Sequence, residues 1–122
     1  MRTRLWWSTL LPVVVALVLF VACDFQDDID HKKKLESLVQ RQATRADVAL
    51  ELGAGYTFYE KGTPSWADLE SFLSREPQSA LRPLRENVGK YPKIMFYTTA
   101  FRMTWISLDE RDVIRTYYLA AQ

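Results

Sequence analysis

Ten consecutive apolar residues, Val13–Ala22, run directly into Cys23, the only cysteine of the 122-residue chain. A run of that kind cannot form a water-facing surface, so it constrains everything around it. Arg2 and Arg4 precede it, and no acidic residue occurs before Asp24. The longer segment Leu5–Ala22 has 18 residues, about 27 Å as a helix, which just reaches across a thin hydrocarbon core. Ser8, Thr9 and Pro12 interrupt it, and the uninterrupted part is as short as the apolar region of a cleaved export signal. Residues 1–22 therefore read as a signal peptide or as an uncleaved signal-anchor. In either case Arg2 and Arg4 hold the N-terminus inside, and the rest of the chain is delivered outside the cytoplasm.

The stretch Leu19-Phe20-Val21-Ala22-Cys23 resembles the lipobox of bacterial lipoproteins, in which small residues precede the cysteine that receives lipid and becomes the mature N-terminus. Phe20 stands where that pattern prefers Leu. The resemblance implies lipidation at Cys23, and Asp24 resembles the signal that retains enterobacterial lipoproteins in the inner membrane. The expectation is a bacterial membrane-anchored chain whose domain faces the periplasm or the exterior. A lipid anchor, a spanning helix and plain secretion are the three readings.

Composition narrows the chemistry. Sixteen Lys and Arg against 15 Asp and Glu give a net charge of +1, without the strong basic field of a nucleic-acid binder. One cysteine excludes an intrachain disulfide and a thiolate-rich zinc site. His31, the single histidine, lies among charged residues with no companion ligand in sequence. No triad, phosphate loop or pair of catalytic carboxylates stands out, so no catalytic, cofactor or metal residue is assigned. The chain reads as non-enzymatic.

Residues 23–43 read as a tether and first helix. Asp24, Asp27, Asp28 and Asp30 precede Lys32-Lys33-Lys34, and Asp28→Lys32 and Asp30→Lys34 are i,i+4 pairs of the favourable order. A helix from about 28 to 42 carries Ile29, Leu35, Leu38 and Val39 on one side. Residues 44–122 read as an α+β domain. Thr44-Arg45-Ala46-Asp47 has the form of a capping box, Gly53 stands where a helix ends in the left-handed region, and the helix between is Arg45–Leu52. Tyr56–Glu60 reads as an edge strand. Residues 63–89 read as a helical insertion. In it Ser65 caps a stripe of Trp66, Leu69, Phe72 and Leu73, and a second stripe of Leu81, Leu84 and Val88 has Gly89 past its end. Ile94–Thr99, Met103–Leu108 and Val113–Leu119 are rich in β-branched and aromatic residues, with Asp109–Asp112 as a polar turn. The expected fold is α+β, with short helices packed on a three-stranded antiparallel sheet in two layers. Met103, Trp105 and Ser107 should point to one face, and Thr104, Ile106 and Leu108 to the other.

Three constellations carry chemistry. Tyr97, Trp105, Tyr117 and Tyr118 form a candidate partner-binding surface, since aromatic side chains offer large contact area at low entropy cost; packing of the sheet is the leading reading of the same residues, because strands in a small domain need such side chains for a core. Asp109, Glu110 and Asp112 lack the ligand alternation of a calcium loop and read as a solvated turn. Arg82, Arg85, Lys90 and Lys93 make a short basic cluster at a helix end. A family resemblance follows from Thr44, Val48, Leu52 and Gly53 with the Asp109–Val113 turn. In that spacing the chain resembles the SmpA/OmlA (BamE-like) small bacterial lipoproteins. It departs from them at Ala43 before the threonine, at Ala54-Gly55 after the glycine, and in the insertion. The resemblance implies an α-α-β-β-β fold and a scaffold role within an envelope complex. The expected function is a non-enzymatic cell-envelope lipoprotein that binds another envelope protein. The alternatives are a signal-anchored single-pass accessory subunit of an inner-membrane complex and a small-ligand-binding α+β domain.

Overall fold

Thr44 is the residue at which the sequence stops one helix and starts the next. The computed structural model describes residues 28–99 and 102–121; Cys23 and the apolar segment before it lie outside the described residues. The chain divides into the units Met1–Leu35 and Glu36–Gln122. Of the first, residues 28–35 are described, and they are the start of helix α1, which covers 28–40. Residues 36–43, the end of what sequence alone reads as a tether, belong to the second unit. There Gln42 turns the chain at φ 51°, and Thr44 forms a β-bridge with Val113. Two backbone bonds flank the bridge, from Ile114 N–H to the Ala43 carbonyl at 2.9 Å and from Arg45 N–H to the Asp112 carbonyl at 2.8 Å.

Helix α2 (Arg45–Leu52) begins at a reciprocal capping box between Thr44 and Asp47. Two otherwise orphaned amide donors are satisfied this way. Gly53 ends the helix at φ 108°, ψ 160°, outside the left-handed region expected for it and in a conformation open essentially to glycine alone. Strand β1 (Thr57–Glu60) follows, then helices α3 (Pro64–Arg75) and α4 (Arg82–Lys90), then strands β2 (Lys93–Thr98), β3 (Arg102–Leu108) and β4 (Ile114–Ala121). The N-cap of α3 is Thr63, not Ser65; Ser65 lies in the first turn with its hydroxyl 2.8 Å from that of Thr63. Gly89 lies inside α4, not after it.

Arg85 closes the junction between the two inserted helices. Its guanidinium donates to the carbonyls of Leu73 at 2.6 Å, Glu76 at 3.0 Å, Pro77 at 3.1 Å and Ala80 at 3.1 Å. Leu73 lies in the last turn of α3, Glu76 is its C-cap, and Pro77 and Ala80 belong to the turn that leads to α4. The cluster of four basic residues is thereby dispersed, since Arg85 serves the backbone and Lys93 pairs with Asp112 at 2.6 Å.

The sheet has four strands in the order β1-β2-β3-β4, all antiparallel. The three-stranded expectation is corrected by β1, which pairs with β2 through Thr57↔Phe96 to Glu60↔Lys93. Its pairing partner lies beyond two helices in sequence, so the non-local ladder was invisible to a local reading. The register then sorts the side chains. Tyr59, Ile94, Phe96, Met103, Trp105 and Tyr118 share one face, where Trp66, Leu69, Leu73 and Leu84 of α3 and α4 complete a core. Phe58, Met95, Ile106 and Tyr117 share the other. On that face Tyr117 bonds Glu36, Tyr97 bonds the end of α2, and Arg45 lies over Phe58. The two-layer expectation is therefore corrected to helices on both faces. Met95, Ile106, Leu108 and Val48 are fully buried, each worth about 1.5–3 kcal/mol of transfer free energy.

A register shift between Ser107 and Leu108 pairs Ser107 with Thr116 and Leu108 with Ile114. Arg115 is the extra residue of this bulge. The shift turns Ile114 to the Leu108 face, where it is buried. Among the described residues no helix is long and apolar enough to cross a membrane.

Two side-chain atoms in the α3/α4 core, Trp105 Nε1 and Ser107 Oγ, are buried without a hydrogen-bond partner. Ser107→Ala removes such a group and is expected to be neutral or stabilising by up to about 1 kcal/mol in urea unfolding. Trp105→Ala, which empties the same core, is expected to cost about 3–5 kcal/mol. A loss above about 1 kcal/mol for Ser107→Ala would show that its hydroxyl has a partner.

Candidate functional site

Strand alternation separates the four aromatic residues that the sequence groups together. Trp105 is 3% exposed and stacks on Phe96 at a centroid distance of 4.0 Å, with Phe72 at 6.1 Å and Tyr59 at 6.4 Å. Tyr118 packs half-buried against the same core. Tyr97 and Tyr117 lie on the opposite face, the pairs Tyr97↔Thr104↔Leu119 and Ile106↔Tyr117 being in register there. Tyr117 donates to Glu36 Oε1 at 3.4 Å. Burial raises its phenol, and the neighbouring Glu36 charge adds to the effect.

Tyr97 belongs to a different cluster, assembled from three elements. Its hydroxyl donates to the Gly53 carbonyl at 2.7 Å, a carbonyl positioned by the glycine-only conformation that ends α2. Its ring lies 5.5 Å from that of Tyr56, and Tyr56 meets Phe58 edge-on at 6.5 Å. The Arg45 guanidinium sits 3.5 Å from the Phe58 centroid and donates through Nε to the Tyr56 hydroxyl at 2.9 Å. Such a cation–π contact is worth about 0.5–2 kcal/mol, more as water is excluded. Leu50, on the same helix as Arg45, is 85% exposed. Tyr56, Phe58 and Tyr97 are half-buried, so part of each ring faces solvent.

The arrangement contains no nucleophile with an adjacent base and no pair of carboxylates. Tyr and Arg, which it presents on a partly desolvated surface, are residue types enriched at protein interfaces. Sequence reasoning passed over Arg45, Tyr56 and Phe58. The available signal was the alternation Tyr56-x-Phe58, but only the β1–β2 pairing brings it beside Tyr97.

The Asp109–Asp112 turn is internally committed. Asp109 Oδ1 accepts from the amides of Arg111 at 2.8 Å and Val113 at 3.1 Å, and Oδ2 accepts from Arg115 Nε at 2.9 Å. Partial desolvation pushes the Asp109 carboxyl up, but the Val113 and Arg111 amides and the Arg115 guanidinium together outweigh it and hold it below the usual range. Among the described residues no three His, Cys, Asp or Glu side chains converge to hold a metal ion. Compared with family models, curated proteins and solved structures, the chain matches none.

Burial, with a smaller contribution from Tyr56, pushes the Tyr97 phenol up to about 12. A phenol that ionises later in the folded chain contributes stability below the unfolded value near 10. That stability is lost as pH rises from about 10 to about 12. Tyr59 and Tyr117 are raised as well, but alkaline titration of phenolate absorbance should show a step near pH 12 that disappears in Tyr97→Phe. The same variant should lose about 1 kcal/mol in denaturant unfolding, the net worth of the bond to Gly53.

Proposed function

We propose that this chain is a bacterial cell-envelope lipoprotein, anchored through Cys23, whose α+β domain is a non-enzymatic protein-interaction module. The observation that carries the anchor is Cys23 itself, the single cysteine standing at the end of the one long apolar run. Lipidation of a terminal thiol adds about 0.8 kcal/mol of membrane affinity per buried methylene, so several acyl chains suffice for stable attachment. The domain then works at the membrane surface, and the partner is another envelope protein.

The interaction reading is supported by the Arg45, Tyr56, Phe58 and Tyr97 cluster with the exposed Leu50. It combines a preorganised guanidinium with half-open rings; Leu50, five residues along α2 from Arg45, is a separate apolar side chain that folding leaves in water. The resemblance to the SmpA/OmlA small lipoproteins points the same way through Thr44, Val48, Leu52 and Gly53. Relative to the order that resemblance implies, β1, α3 and α4 are additional here. A second reading, a signal-anchored accessory subunit of an inner-membrane complex, is favoured by the 18-residue length of Leu5–Ala22.

Mass spectrometry of the chain isolated from membranes separates the two. The lipoprotein reading expects an N-terminal, acylated Cys23 and loss of membrane retention in Cys23→Ser. An unmodified Cys23 still joined to Ala22 would overturn it, and retention of Arg2–Ala22 would favour the spanning anchor. For the interaction module, a photoreactive p-benzoyl-phenylalanine replacing Leu50 in native membranes is expected to give a discrete crosslinked partner. Replacement of exposed Arg75, on the far helix α3, should not.

A further inference from the structure

We propose that the polar groove at the end of the sheet where β4 begins is a docking site for an acidic, extended peptide segment of the partner protein. This rests on the interaction reading above and identifies a second contact and its chemistry. The groove has a volume of about 560 Å³, within the range of about 300–1,000 Å³ typical of ligand sites. Gln42, Tyr91 and Pro92 line it together with the Asp109–Arg111 turn.

Its walls are set before any ligand arrives. Asp109 holds the turn through two backbone amides and Arg115. Lys93 Nζ bonds Asp112 Oδ1 at 2.6 Å and the Glu110 carbonyl at 3.2 Å, fixing the turn to the start of β2. The Thr44–Val113 bridge fixes the other wall. Among the described residues three non-glycine residues have positive φ, namely Gln42, Leu81 and Asp112. Gln42 lines the groove and Asp112 belongs to its turn. Backbone held in such sparsely populated regions gathers at ligand clamps, where the surrounding structure over-determines it.

The charges that remain choose the ligand. Asp109 is matched by Arg115, and Asp112 by Lys93. Lys90, Arg111 and Glu110 form no ion pair among the described residues. The groove thus offers two cations that no carboxylate matches, Lys90 resting 5.5 Å from the Tyr91 ring centroid, against one unmatched carboxylate. A guanidinium fork recognises carboxylates through two parallel hydrogen bonds, while Glu110 accepts from peptide amides. The headgroups of a flat anionic membrane cannot reach into a concavity of this shape, whereas a single peptide segment can. The charged lining likewise disfavours an apolar helix.

The test uses the full chain in non-ionic detergent and a fluorescein-labelled octaglutamate peptide, with octaglutamine as its neutral match. Octaglutamate should raise anisotropy where octaglutamine does not, and should shift the amide resonances of Gln42, Arg111 and Val113. The double variant Lys90→Ser, Arg111→Ser, whose side chains form no hydrogen bond or ion pair among the described residues and lose only the Lys90–Tyr91 ring contact at 5.5 Å, should bind about tenfold more weakly, the equivalent of one lost charge-assisted bond. Arg75→Ser, Arg82→Ser, at exposed positions at the end of α3 and the start of α4 and outside the groove lining, should bind as the native chain does. The proposal is overturned by absence of octaglutamate binding, or by equal weakening in both double variants. Displacement of the peptide by micelles doped with phosphatidylglycerol would overturn it too, by assigning the site to lipid. A photoreactive residue at position 111 that captures nothing, while one at position 50 does, would sink this groove and leave the interaction module standing.

Discussion

Strand β3 carries Trp105 on one face and Ile106 on the other, and both leave water only because helices lie against each face of the sheet. That two-sided burial organises the rest. The inserted pair α3 and α4 supplies Trp66, Leu69, Leu73 and Leu84 to the Trp105 side. The segment from Glu36 through α2 supplies the opposite side, tied down by Tyr117, Tyr97 and Arg45. Removing either cover would expose a continuous apolar face, which small water-soluble domains do not tolerate.

Covering both faces also decides where recognition can occur. With the faces occupied, the surfaces left open are the β1 and β4 edges and the loops at the strand ends. The aromatic cluster with Arg45 forms at the β1 edge and the groove beside Asp109 at the loops. Each is held by one side chain bonded to backbone. Tyr97 reaches Gly53, and Asp109 reaches the amides of Arg111 and Val113. Ordering such surfaces before contact lowers the entropic cost of association.

What was legible locally is instructive. The α2 boundaries follow from Thr44, Asp47 and Gly53 because capping is a three-residue interaction. Strand alternation already required Tyr117 and Tyr118 to part, since adjacent residues of a strand point oppositely. Whether Tyr97 joined one or the other depended on pairing register, and the sheet gave it to the Tyr117 face. The β3–β4 bulge was equally hidden. One extra residue at Arg115 reverses the face of Ile114, and nothing within β4 announces it. Arg85 read as part of a basic patch because its role depends on carbonyls contributed by residues 73–80, which converge only when α3 and α4 fold together.

The sequence by itself determines the α+β class and the position of nearly every described element, because hydropathy, capping and β-propensity act over a few residues. The number of strands, the second helical layer and the grouping of aromatic side chains were decided only by the tertiary structure. Each depends on contacts between segments far apart in the chain. Thr57 meeting Phe96 and Thr44 meeting Val113 are fixed by which pairing buries most apolar surface with every backbone group satisfied.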